Sequence, residues 1–106
     1  LKKEFKAIKN IIPSGTAIQS LRKSAINNSP KDFTRDGYHM DLGAGRYALA
    51  CTWYEELIRP YTHRSMMGNG LRLDLGDVKV TDATAPYCQK AAKKASKKPF
   101  KVQTIK

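Results

Sequence analysis

Two cysteines in 106 residues are too few for a disulfide scaffold and too few for a zinc site built from cysteines. No apolar run approaches the roughly 18 residues that a membrane span needs. No signal-peptide pattern follows Leu1, and a first residue other than Met leads us to expect a processed or cut chain. Acidic residues are scarce, nine against twenty Lys and Arg, so the formal net charge is +11. What is present is a composition of 41% hydrophobic and 27% charged residues, which excludes a disordered chain and fits one domain or a piece of one.

The charge is concentrated at the ends. Residues 1–35 hold eight basic and two acidic side chains, residues 36–78 four and six, and residues 79–106 eight and one. A basic end most often serves as a solvated face. A nucleic-acid reader would interleave arginines and aromatics with its lysines. Residues 89–106 contain lysine but no arginine, and Phe100 is their one aromatic, so nucleic acid is an unlikely partner.

Along the chain, Phe5 to Ile12 ends in an apolar pair before Pro13-Ser14-Gly15, the pattern of a short buried strand. Thr16 can cap a helix whose apolar face is Ala17, Ile18, Leu21 and Ala25, closed by Asn27-Asn28-Ser29-Pro30. Residues 42–58 are the longest periodic segment and predict an amphipathic helix closed by Pro60. Its expected inward stripe is Leu42, Leu49, Ala50, Trp53, Tyr54 and Leu57, with Arg46, Glu55 and Glu56 off it. Gly43 and Gly45 in its first turn imply close approach of another segment. Residues 71–80 alternate Leu71, Leu73 and Leu75 with Arg72, Asp74 and Gly76, which reads as a strand or small hairpin, or else an extended loop. A last helix is expected from Thr81 towards Lys98, with Tyr87, Ala91, Ala92 and Ala95 inward and lysines outward. One or two strands cannot close a sheet. The order of elements therefore predicts a mostly helical α/β piece, the back end of a doubly wound sheet whose other strands lie elsewhere.

Asp36-Gly37-Tyr38-His39 is the stretch that can carry chemistry. A hydrolytic triad needs a carboxylate to hold one imidazole nitrogen, so that the other can take a proton from serine. Three residues of loop around a glycine can bring both side chains to one side. The plainer alternative pairs Asp36 with Arg35 or a helix end and leaves His39 on the surface. Arg35-Asp36-Gly37-Tyr38-His39-Met40-Asp41, then Gly43-Ala44-Gly45-Arg46-Tyr47 and the helix after it, resembles the last catalytic block of the SGNH (GDSL-like) serine hydrolases. Ile12-Pro13-Ser14-Gly15-Thr16-Ala17-Ile18-Gln19 is similar to the family segment that leads from the last sheet strand into the next helix. Ala91-Ala92-Lys93-Lys94-Ala95 with Pro99-Phe100 is similar to the end of an uncharacterised bacterial subgroup. The resemblance covers most of the chain. It is specific in residues 11–58 and looser in residues 61–80.

That resemblance implies the C-terminal portion of a three-layer, flavodoxin-like hydrolase domain, with residues 1–106 lacking the N-terminal nucleophile half. It implies Asp36 as the carboxylate that orients and stabilises the imidazole, and His39 as general base and then acid. Tyr38 and Met40 would flank the substrate. No Gly-Asp-Ser and no oxyanion-hole block occurs, and Ser14 matches a different family segment, so the chain is expected to be inactive alone. No cofactor and no metal is implied. The substrate would be a small ester, acyl groups on carbohydrates included, bound through the missing half. A bacterial source is implied, with secretion or a periplasmic place left open.

Other residues read more plainly. His63 sits in a polar loop, and two histidines without placed cysteines or carboxylates make no metal site. Cys51 reads as a small buried hydrophobe, Cys88 lies on a helix flank, and the sequence leaves their pairing open. Trp53 reads as core, or as a pocket wall, and Met66-Met67-Gly68-Asn69-Gly70 as a lid or an ordinary loop. Two further functions compete with the hydrolase: a small basic module for nucleic acid or acidic surfaces, and a non-catalytic fragment that self-associates through an exposed core face.

Overall fold

The computed structural model describes residues 10–72 and 79–106. Helix α1 spans Ser14–Leu21, α2 Ala44–Leu57, α3 Arg59–Thr62 and α4 Ala85–Lys97. α4 packs against both α1 and α2, and α1 also touches α2. Ile18 and Leu21 of α1, Phe33 of the loop before α2, Ala48 of α2, Cys88 and Ala91 of α4 and Ile105 of the tail form the buried core.

The expected three-layer α/β architecture is not found. The described residues are helical and include no strand; Thr34 and Met40 form an isolated antiparallel bridge, and Lys79 also stands in a bridge. Residues 10–12 lead irregularly into α1, and the rest of the strand expected over 5–12 lies outside the described residues. So do residues 73–78, the centre of the alternating segment. A lone extended segment has no ladder to satisfy its N–H and C=O groups, and a single hairpin is marginal in water. The helices instead bury their faces on one another.

α1 stops at Leu21, short of the expected Ala25. Ser24 Oγ donates to the Leu21 carbonyl at 2.6 Å, the local bond by which serine competes with a helix. α4 begins at Ala85 with Pro86 in its first turn, where a missing N–H costs nothing. Its small inward residues, Ala85, Cys88, Ala91, Ala92 and Ala95, are all buried. The tail returns across α1: Thr16 Oγ1 donates to the Pro99 carbonyl at 2.5 Å, and the Gln103 N–H donates to Ser20 Oγ at 2.9 Å. Ile105 is thereby held in the core.

The face of α2 differs from the expected stripe. Gly45, Ala48, Cys51, Thr52 and Glu55 are buried, while Ala50, Trp53 and Leu57 face outward. Trp53 is 54% exposed, so it is not core among the described residues. Gly45 fixes this orientation. A Cβ there would stand 2.8 Å from the Phe33 carbonyl oxygen and 3.1 Å from Asp41 Oδ1. The glycine lets the loop before α2 lie directly on the helix.

Two buried polar side chains then fasten the segment after α3. Glu55 Oε1 accepts the Ser65 hydroxyl at 2.6 Å and the Met66 N–H at 2.9 Å. Its Oε2 lies 3.0 Å from Arg59 Nε, an ion pair that is not aligned as a hydrogen bond. Gln89 Oε1 accepts the Gly68 N–H, and its Nε2 donates to the Tyr47 hydroxyl and the Asn69 carbonyl. Residues 66–69 are therefore pinned to α2 and α4, which fits an ordinary loop better than a lid. Cys51 and Cys88 are free and buried. Burial pushes their thiols up to about 11 and about 12, so both stay protonated.

Candidate functional site

The site begins in a strained approach. Asp32 and Phe33 take left-handed backbone angles, φ +52° and +65°, a conformation unfavourable for residues other than glycine. Three hydrogen bonds and the burial of Phe33 hold it. Phe33 is almost wholly buried, and its N–H donates to Asn28 Oδ1 at 2.7 Å. Asn27 Nδ2 donates to Asp32 Oδ1 at 2.9 Å, and Arg22 Nε donates to the Asp32 carbonyl at 3.1 Å. Asn27 and Asn28, read from sequence only as helix terminators, are thus positioning residues for the loop that follows.

Residues 34–40 form a closed loop. The Asp41 N–H donates to the Phe33 carbonyl, and the Arg35 N–H to the His39 carbonyl, both at 2.8 Å. Gly37 makes the reversal at φ +102°, and its N–H donates to Thr34 Oγ1 at 3.0 Å. Asp36 Oδ1 accepts the N–H groups of Tyr38 at 3.0 Å and His39 at 2.7 Å. Asp36 Oδ2 lies 2.5 Å from His39 Nδ1. The His39 main-chain N–H, then the His39 ring, then the Tyr38 N–H hold the Asp36 carboxyl well below the usual carboxylate range. An ionised Asp36 can only accept, so Nδ1 carries a proton, and in the neutral imidazole Nε2 is then the acceptor.

The imidazole is open to solvent, with its side chain 57% exposed. Tyr38 is 78% exposed, and its ring centroid lies 4.6 Å from that of His39 at a 47° tilt. It therefore stands beside the imidazole and does not pack beneath the loop. Met40 is half-buried against the helical core and also lines a cavity with Ile18, Arg22 and Leu49. Asp41 caps α2: its Oδ1 accepts the N–H groups of Gly43 and Gly45 at 3.0 and 2.9 Å. The cap role weighed for Asp36 belongs to Asp41, and an Asp just ahead of a Gly-rich helix start was the available signal.

No described serine hydroxyl is hydrogen-bonded to His39. Ser14 is half-buried in the first turn of α1; Ser20, Ser24, Ser65 and Ser96 bond elsewhere. His63 is exposed at the end of α3. Among the described residues no three His, Cys, Asp or Glu side chains gather as a metal site, and no helix is long and apolar enough to cross a membrane. A cavity of about 490 Å³ flanks the base of the loop, lined by Lys31, Thr34, Arg35, Asp41 and Lys79 among others.

A helical segment presenting a carboxylate-held histidine on a braced loop is thus a class of candidate catalytic half-site. The chain matches the family described as Domain of unknown function (DUF4886) over residues 2–74, and it belongs to that family. It is also similar to the crystal structure of a DUF4886 family protein from Bacteroides uniformis ATCC 8492, at 40% identity and a TM-score of 0.73. That alignment covers 94% of this chain and 36% of the other, so the chain spans about a third of that protein's length. No curated protein matches the chain.

Proposed function

We propose that this chain supplies the Asp-His part of a Ser-His-Asp triad to a serine ester hydrolase of the SGNH type. The observation that carries the reading is the 2.5 Å contact of Asp36 Oδ2 with His39 Nδ1 on a solvent-open side chain, which in the neutral imidazole makes Nε2 the acceptor. In such a triad Nε2 takes the proton of a serine hydroxyl as that oxygen attacks the ester carbonyl. The imidazolium that forms is stabilised by Asp36, and it then returns its proton to the departing alcohol. Tyr38 beside the ring would wall the substrate. The serine and the oxyanion donors would come from chain that this segment does not contain, since no described serine meets His39. Supplied alone, the segment is an activated base with nothing to activate.

The test uses a whole-length family chain carrying residues 10–106 of this protein in place of its own matching segment. Hydrolysis of short-chain nitrophenyl esters should fall on the order of 10⁶-fold in His39→Ala, and by about 10⁴-fold in Asp36→Asn, which mis-sets the tautomer. Esterase activity that survives His39→Ala would exclude the reading.

A further inference from the structure

A strongly basic surface of α4 shares no lining residue with the Asp36 loop. Lys90, Lys93, Lys94 and Lys97 recur at the 3, 4, 7 spacing of one helical face, and Lys98 follows at the end of α4. The opposite face of α4 is its buried alanine side, so every lysine of the stripe is directed outward. The stripe runs about 12 Å along the axis at ~1.5 Å per residue. All five lysines border one cavity of about 330 Å³, closed by Met67 and Gln103, and no carboxylate lines it. Lys90 Nζ donates to the main-chain oxygen of Lys106 at 2.9 Å. Among the described residues the other four ammonium groups have no hydrogen-bond or ion-pair partner. Like charges three and four residues apart destabilise a helix, so the stripe is at a disadvantage until an anion neutralises it.

We propose that this stripe docks the protein on an anionic lipid surface. Lysine is a compact point charge, suited to counting headgroup phosphates, whereas nucleic-acid reading draws on arginine forks and stacked rings. No arginine follows Arg72, and no aromatic lines the cavity. Two residues past Lys98 stands Phe100, 85% exposed, followed by Lys101 and a partly exposed Val102, with Met67 partly exposed at the cavity itself. Exposed apolar side chains set among lysines are the combination that anchors a protein at the boundary between headgroups and acyl chains. α4 does not have to leave the core for this, because its alanine face remains buried while its lysines face the lipid.

The test is vesicle co-sedimentation of this chain with phosphatidylcholine alone and with a phosphatidylcholine–phosphatidylglycerol mixture. The expected result is binding to the mixture, none to phosphatidylcholine, and release in about 1 M salt, where charges are screened within a few ångströms. The quadruple variant K93Q/K94Q/K97Q/K98Q should bind on the order of 100-fold more weakly or worse, given the contribution of each lysine near an anionic surface. Phe100→Ser should lose about tenfold. All five positions lie outside the buried core, and circular dichroism should show unchanged helix in both variants. Equal binding to both vesicle types, or a quadruple variant that binds like the parent, would overturn the proposal. Tighter binding to an oligonucleotide with the same lysine dependence would also overturn it and assign the stripe to nucleic acid.

Discussion

α4 and α2 lie side by side, and they treat their apolar residues in opposite ways. α4 buries Ala85, Ala91, Ala92 and Ala95 and turns its lysines out. α2 buries Gly45, Ala48, Cys51, Thr52 and Glu55 and turns Trp53 and Leu57 out. Small residues on both sides let the helices approach closely, and at ~100° per residue that choice sends positions 50, 53 and 57 of α2 to the far side. The lesson is that an apolar stripe marks a face that seeks cover. It does not say that the same chain provides the cover. Here the described residues leave the Trp53 side open, in a chain that spans 36% of a related protein's length.

The sharpest way to break this contrast is to charge each face in turn. Ala91→Asp places an unpaired carboxylate in the core of α4, at a cost of several kcal/mol, enough to abolish cooperative unfolding in urea. Glu55→Ala removes the buried acceptor of Ser65 and Met66. It should cost about 1–3 kcal/mol in thermal unfolding, less than a fully buried pair, because Arg59 can turn to water. Gly45→Ala should cost about 1–3 kcal/mol by pushing the Phe33 segment off α2, and should shift the amide signals of residues 34–40 with it. Trp53→Gln should change stability by no more than about 0.5 kcal/mol. A loss several times larger would mean that the outer face of α2 is covered in this chain after all, and analytical ultracentrifugation would then find a self-associated species.

The smallest expected effect concerns the Asp36 loop, where pH is the probe. The folded Asp36 carboxyl is depressed below its ordinary 3.8. Its hold on the loop is therefore fully present above that ordinary value and is lost only as pH falls through the depressed one. The hydrogen bonds from the Tyr38 and His39 amides to Asp36 should persist, read as slowed amide exchange, from neutral pH down to about 4. Asp36→Asn should speed exchange of both throughout that range.

These contrasts also mark what the residues alone could disclose. The existence of α2 and α4 follows from periodicity, but α4 starts at Ala85 and not at Thr81, and Pro60 lies in the first turn of α3 instead of closing α2; Asp-x-x-His announces the pairing of Asp36 with His39. The orientation of α2 does not follow, because ranking residues by hydrophobicity puts Trp53 inside, whereas the close approach at Gly45 puts it outside. The expected sheet did not follow either: Ile11 and Ile12 look like the end of a strand, yet the described residues offer them no ladder. Nor could spacing disclose that Asn28 fixes the left-handed Phe33 or that Thr34 receives the Gly37 N–H. Those roles depend on the path of the loop, which is set by tertiary contacts far along the chain.

The central claim is that His39 serves a serine located outside this segment. Fluorophosphonate labelling followed by intact mass tests it most directly, on this chain alone and on the whole-length family chain carrying residues 10–106. The account predicts no adduct on this chain, an adduct on the whole-length chain at a serine outside the segment, and loss of that adduct in His39→Ala. An adduct on one of this chain's own serines, or labelling of the whole-length chain that is indifferent to His39→Ala, would contradict it.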